Sequence, residues 1–327
     1  MPGFASAWIG RALAAVLLLG SASAFPQAAS FPSKPVKIIV PSGPGGPADI
    51  ILRTLNAKMA EHLGQPVVLE HRPGASGTIG LNLVARSAPD GYTIVLVSET
   101  HTAAESLYSK RGYTMTLDLV PVSVLVNMPS VLVVNKNLPV KSVPELLALA
   151  KAQPDKLSFA SGGNGNTYHL AVELMKQKAG VRLLHVPYSQ AGIGRTDLLS
   201  GQIDLMFDSL ISMQPHITSG GVRAIAVTSP QRLPGLPSVP TVSESGVPGY
   251  EMEIWFGLMA PAGTPPAALA RINEAVVASL QDKAVVAQLA GGALTPITAT
   301  PARFGEMIKI SIDKWSGVIK AGGVKVE

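Results

Sequence analysis

Two glycine-rich stretches carry the chemistry most legible in this sequence: Pro41-Ser-Gly-Pro-Gly-Gly-Pro-Ala-Asp49 and Ser161-Gly-Gly-Asn-Gly-Asn-Thr167. Glycine lets a bound molecule approach the main chain closely. Free N–H groups at a helix start carry about half a positive charge, so an anion is the natural guest of such a loop. The candidate ligand-binding residues are Ser42, Gly43, Gly45, Gly46 and Asp49 in the first stretch and Ser161, Asn164, Gly165, Asn166 and Thr167 in the second. Either stretch alone also reads as a tight turn; two at equivalent places favour a site. Thr100, just past the strand-like Thr93 to Val97, and Asp208, just past Ile203 to Phe207, add polar groups at the same rim. Asp208 suits either a ligand ammonium or hydroxyl or the cap of the next helix, and Thr100 and Thr167 are similarly two-sided.

Other chemistries find less support. Gly43-Pro-Gly-Gly-Pro-Ala48 satisfies the dinucleotide fingerprint G-x-G-x-x-A, but Pro44 and Pro47 delete N–H donors where a pyrophosphate would sit. The histidines at 62, 71, 101, 169, 185 and 216 form neither H-x-x-x-H nor H-E-x-x-H, so no local metal site is encoded. No G-x-S-x-G elbow occurs, although a triad assembled from distant positions stays open as an exported-hydrolase reading. Nothing in these patterns actively suggests catalysis, and no metal is expected.

The elements that must hold these loops follow from the pattern of apolar residues. Lys37-Ile-Ile-Val40 is strand-like, the breaker cluster Pro41 to Pro47 ends it, and Ile51, Leu55, Met59 and Leu63 then recur every fourth residue. Strand, loop and amphipathic helix follow in that order, with Gly64 as the stop and Val67-Val-Leu69 as the next strand. A second α/β unit repeats the logic through strand-like Leu157 to Ala160, Leu183 to Val186, Ile203 to Phe207 and Ala224 to Val227. Ser142 with Glu145 forms a capping box ahead of it. The apolar Val120 to Val134, which includes Pro121 and Pro129, predicts an extended passage between two lobes, and Trp255 to Ala260 follows the return. Two closing helices are expected, one capped by Thr264 and one near Thr300. In parallel α/β sheets ligands bind beyond the carboxyl ends of the strands, where both glycine loops fall.

Arg11, the apolar Ala12 to Leu19 and Ala22-Ser-Ala24 read as a signal peptide over residues 1–24, which would leave 327 − 24 = 303 residues in a soluble periplasmic protein. The absence of Cys excludes disulfides, thiolate metal sites and an N-terminal lipid anchor. Net charge is +5, with Lys and Arg scattered, so nucleic acid is not an expected partner. The mature length predicts two domains, drawn as a discontinuous first lobe over 31–127 with 253–327 and a second lobe over 128–252.

Nearly the whole expected mature chain resembles the Bug, or TctC-like, family of extracytoplasmic solute receptors of tripartite tricarboxylate transporters. The likeness rests on Pro35-Val-Lys-Ile-Ile-Val-Pro41 with its glycine loop, Arg72-Pro-Gly74, Ala88-Pro-Asp-Gly-Tyr92, Leu138-Pro-Val-Lys-Ser142 and Ser161 to His169. His185-Val-Pro-Tyr188, Gly201 to Asp208, Val239-Pro-Thr-Val242 and Trp255-Phe-Gly to Gly263-Thr-Pro265 extend it. The resemblance implies an α/β type II periplasmic-binding-protein fold with two lobes on a two-segment hinge. It implies a small carboxylate, amino acid or aromatic acid as ligand, held by Ser42 to Asp49 and Ser161 to Thr167, a membrane permease as partner, and neither a cofactor nor catalysis, so that the protein is expected not to be an enzyme. Ser42, Ala48, Ala104-Glu105 and Ser189-Gln190 depart from the usual aromatic, Thr, Asn-Pro and Lys-Gly.

A monomer that closes on its ligand is expected, serving a permease or alternatively a sensor kinase. Glu99 and Glu105, read as rim charges, favour a monocarboxylate or zwitterion over citrate.

Overall fold

A computed structural model of the protein describes residues 31–326, so the expected signal peptide lies outside the described residues. Among these residues no helix is long and apolar enough to cross a membrane.

Strand β1 (Val36–Val40) forms because a β-branched run buries nearly every side chain, and the turn after it leads into helix α1 (Pro47–Leu63). Pro47 starts α1 without losing a needed hydrogen bond, Ile51, Leu55, Met59 and Leu63 form its buried stripe, and Gly64 ends it in the left-handed conformation. β2 (Val67–His71), α2 (Thr78–Ala85), β3 (Thr93–Ser98), α3 (Glu99–Leu107) and the single turn α4 (Met115–Asp118) follow. The apolar passage resolves into two strands, β4 (Leu119–Met128) and β5 (Ser130–Asn135), which join different sheets with Pro129 between them.

The second sheet is built by β5, α5 (Val143–Ala152), β6 (Ser158–Ser161), α6 (Thr167–Ala179), β7 (Leu184–Pro187), α7 (Ala191–Ser200), β8 (Leu205–Ser209), α8 (Leu210–Thr218) and β9 (Val222–Val227). The chain then returns to the first sheet as β10 (Ile254–Pro261). It closes with α9 (Pro266–Gln281), α10 (Lys283–Gly291), the two-residue β11 (Thr295–Pro296) and α11 (Pro301–Gly322).

The first sheet runs β11-β4-β10-β3-β1-β2 and the second β7-β6-β8-β5-β9. β1 is parallel to β2 and β3, and β6 is parallel to β7 and β8, whereas the crossing strands β4, β5 and β10 pair antiparallel. Two α/β lobes joined by two crossings result.

Two expectations about helix ends need correction. Thr264 does not cap α9, because its hydroxyl donates to Pro261 O at 2.7 Å and Pro265 is the cap residue. Three helices close the chain, since α10 buries little more than Val285 and Leu289 and leaves a weak apolar signal, though Asp282 caps it on two N–H groups. Thr300 does cap α11, whose Phe304, Ile308, Trp315 and Ile319 point inward. α11 also reaches the second lobe, where Gln177 Nε2 donates to Val318 O at 2.9 Å.

Candidate functional site

The carboxyl ends of β1 and β3 in one lobe and of β6 in the other face a shared cavity of about 400 Å³. Pro41, Ser42 and Gly46 to Ala48 line it from the first glycine loop, and Asn166, Thr167 and Tyr168 from the second. Ser98, Thr100 and His101 add the start of α3, and Gly74, Ser76 and Gly77 the turn before α2. The N-termini of α1, α3 and α6 therefore converge on one space. Leu96, Met128, Ile254 and Phe256 supply an apolar wall, and among the described residues no Asp, Glu, Lys or Arg side chain lines the cavity.

Each candidate residue has a definite place. Ser42 lines the cavity, and its buried Oγ has no partner among the described residues. Gly46 is the cap residue of α1 and offers no side-chain acceptor, which leaves the first-turn N–H groups uncapped by any side chain. Thr100 and Thr167 line opposite walls, and their hydroxyls meet at 2.6 Å across the cleft. Asn166 lines the second wall and takes the Tyr168 N–H on its Oδ1 at 2.9 Å.

Seven other candidates are not brought to the cavity wall. Gly43 lies off it, and Gly45, at φ +80°, donates its N–H to Asp49 Oδ2 at 2.9 Å. Asp49 is 4% exposed and paired with Arg53 Nε at 2.9 Å, so Arg53, with the Gly45 N–H, holds its carboxyl below the usual range. His71 Nε2 is 3.1 Å from Asp49 Oδ1 but poorly aligned for a hydrogen bond. Gly165 donates to His169 Nδ1 at 3.0 Å, and Asn164 points to solvent. Ser161 is buried, with its Oγ 2.7 Å from His185 Nε2. Asp208 accepts from Arg195 Nη2 at 2.7 Å and from the Ser209 N–H, so its carboxylate is occupied within its own lobe.

The reading of Glu99 and Glu105 as rim charges is overturned. Glu99 is 2% exposed, points away from the cleft and accepts from Trp315 Nε1 at 2.5 Å and Ser311 Oγ at 3.1 Å. Burial pushes its carboxyl up to about 6. Glu105 makes a two-pronged pair with Arg111 at 2.9 and 2.7 Å and also takes the Met115 N–H. Neither charge reaches a ligand, and the argument for a monocarboxylate falls with them.

The Ser161–His185 contact resembles part of a hydrolytic triad, yet it lacks what one needs. Ser161 is off the cavity, and burial together with the neighbouring His169 lowers the His185 imidazole to about 3, which makes it a weak base. His185 stacks on His169 and Phe159, with centroids 3.8 and 4.7 Å away, and this stack braces the second glycine loop. No cluster of metal-ligating side chains occurs among the described residues.

Tyr168 and the Gly74–Gly77 turn line the cavity without a sequence pattern that singles them out, and His101 stands out only as part of the polar stretch Ser98-Glu-Thr-His101 at the rim. The available signal was positional: His101 is the third residue of a helix beginning at a cavity-lining strand end, and Ile254 and Phe256 alternate along β10 toward one face.

A two-lobed α/β protein crossed twice, with a cavity between its lobes, has the architecture of a type II periplasmic binding protein. A sequence model described as "Tripartite tricarboxylate transporter family receptor", TctC, matches residues 51–324, and the chain belongs to this family. BugT of Bordetella pertussis is 38% identical over 303 residues, 92% of this chain and 93% of BugT. The solved structure of the periplasmic binding protein BugD superposes with TM-score 0.77 at 36% identity, covering 90% of this chain and 99% of that one. R. palustris Rpa4515, solved with adipate, gives TM-score 0.80 at 34% identity over 90% of this chain and 99% of its own.

Proposed function

We propose that this protein is a periplasmic receptor that captures a small carboxylate between its lobes and delivers it, as a monomer, to the membrane permease of a tripartite tricarboxylate-type transporter. The observation that carries the reading is the convergence of three helix N-termini on a cavity lined by no charged side chain. An anion there is stabilised by backbone N–H groups and helix dipoles without a counter-ion. The adipate in Rpa4515 supports the same ligand class.

Magnitudes set the number of contacts. Micromolar binding needs about 8 kcal/mol. Three helix termini at about 0.3 to 2 kcal/mol each fall short, and a few charge-assisted hydrogen bonds at about 1.5 to 3 kcal/mol each make up the difference. Ser42 and Thr100 stand in the first lobe, proposed as 31–127 with 253–327, and Thr167 in the second, 128–252. Full affinity then requires both lobes, and closure is the state a permease can recognise.

Native mass spectrometry of the purified protein, followed by calorimetric titration with adipate, glutarate, benzoate and glutamate, tests this. Stoichiometric binding of at least one acid without turnover is expected. Failure of every acid, with the protein folded and free of retained ligand, would sink the reading.

A further inference from the structure

We propose that His101 donates its Nε2–H to an oxygen of the bound acid and is thereby a specificity-determining contact of the cavity. The inference rests on the carboxylate-receptor reading and adds a residue that neither glycine loop contains.

Two bonds fix the tautomer. The Ser98 backbone N–H donates to His101 Nδ1 at 2.8 Å, and Ser98 Oγ lies 3.2 Å from the same nitrogen. Nδ1 is thus an acceptor, and the proton of the neutral ring sits on Nε2. The residue is 6% exposed, lines the cavity, and its Nε2 has no partner among the described residues. Nε2 is not among the fully buried unpartnered atoms, so this donor opens on the cavity, which is where an acceptor can arrive. Gly77 makes room for the ring: a Cβ there would collide with His101 Nε2 and Cδ2, so only glycine at φ +88° leaves the imidazole edge its place.

The ring also stays uncharged. Burial lowers its pKa to about 4, so near neutral pH it offers one directional hydrogen bond without adding a cation. In a cavity with no charged side chain, such a donor selects for an acceptor oxygen at that spot and against an ammonium or a methyl group.

The test separates donor from cap with two variants. In His101→Asn the side-chain oxygen can stand in for Nδ1 and keep the Ser98 N–H satisfied, but nothing reaches the Nε2 position. In His101→Gln the amide reaches that position and the cap is lost. The probe is whichever of adipate, glutarate, benzoate and glutamate binds the wild type most tightly.

His101→Asn is expected to weaken Kd roughly 10- to 100-fold with little change in Tm, whereas His101→Gln recovers most of the affinity and melts lower. Wild-type affinity in His101→Asn, or equal losses in both variants, overturns the proposal while leaving the receptor reading intact. A wild type that, folded and free of retained ligand, binds none of the four acids overturns both together.

Discussion

The two glycine loops look alike in sequence and are used differently in the structure. In the first lobe Ser42 Oγ is unpartnered and the start of α1 has no side-chain cap, while Asp49 is turned away to hold the loop through Gly45 and Arg53. In the second lobe the polar groups are largely spent on one another: Gly163 N–H on Ser161 Oγ, Gly165 N–H on His169, Tyr168 N–H on Asn166. On the proposed reading the first loop keeps donors for a ligand, whereas the second, with its own N–H groups largely spent, offers chiefly Thr167 and the start of α6. Similar composition does not imply a similar role, because what a loop offers is what its own side chains leave unsatisfied.

The strongest way to break this contrast is to spoil the closing surface. Gly165 sits at φ +72°, and a Cβ on it would run into Leu107 and Val326 of the first lobe. Gly165→Val would therefore hold the lobes apart and strain a left-handed backbone position by about 1 to 3 kcal/mol. Calorimetry should show at least roughly a 100-fold loss of affinity, about 2.7 kcal/mol, with the far-ultraviolet dichroism of the wild type retained. Tight binding by this variant would mean that the second loop does not close on the ligand.

A smaller effect separates the groups that back the two walls. Behind the first wall, burial raises Glu99 from 4.5 to about 6; the folded state then holds a proton that the unfolded chain has released, so stability falls as pH rises from about 4.5 through 6. Behind the second wall, His185 is lowered from 6.5 to about 3; the unfolded chain takes a proton first, so this contribution is present above 6.5 and is lost as pH falls toward 3. Acid thus strengthens one backing and weakens the other. Glu99→Gln keeps an acceptor for Trp315 and Ser311 and removes the titration, so it should gain about 2 kcal/mol relative to wild type at pH 7 compared with pH 4. Urea midpoints of both proteins across that range measure it, and parallel curves would show that Glu99 is not desolvated as described.

How much of this was legible beforehand depended on whether a residue's role is local. The strand, loop and helix around Pro41 to Asp49 were readable because a β-branched run, a breaker cluster and a four-residue apolar period are short-range signals. The second loop was readable for the same reason. What escaped was set by partners far along the chain. Glu99 looks like a surface acid until α11, more than two hundred residues later, brings Trp315 and Ser311 to it. Asp208 looks available until Arg195 of α7 is found on its carboxylate. α10 escaped for another reason, since a nine-residue helix that buries few side chains has little period to read.

The finest test concerns the single hydroxyl pair that joins the two walls. Thr100 and Thr167 meet at 2.6 Å, partly buried, and a hydrogen bond of this kind is worth about 0.5 to 1.5 kcal/mol net. If it acts as a latch on the closed form, Thr100→Val should weaken binding by about two- to tenfold, mainly through faster release, because encounter with the open form does not involve the pair. Thr167→Val should do the same, and the double variant should cost little more than either single, since one bond cannot be lost twice. Stopped-flow rates for all three variants distinguish this from the alternative in which each hydroxyl contacts the ligand separately. Additive losses would assign both groups to the ligand and would make the second loop a donor surface like the first, which removes the contrast between them.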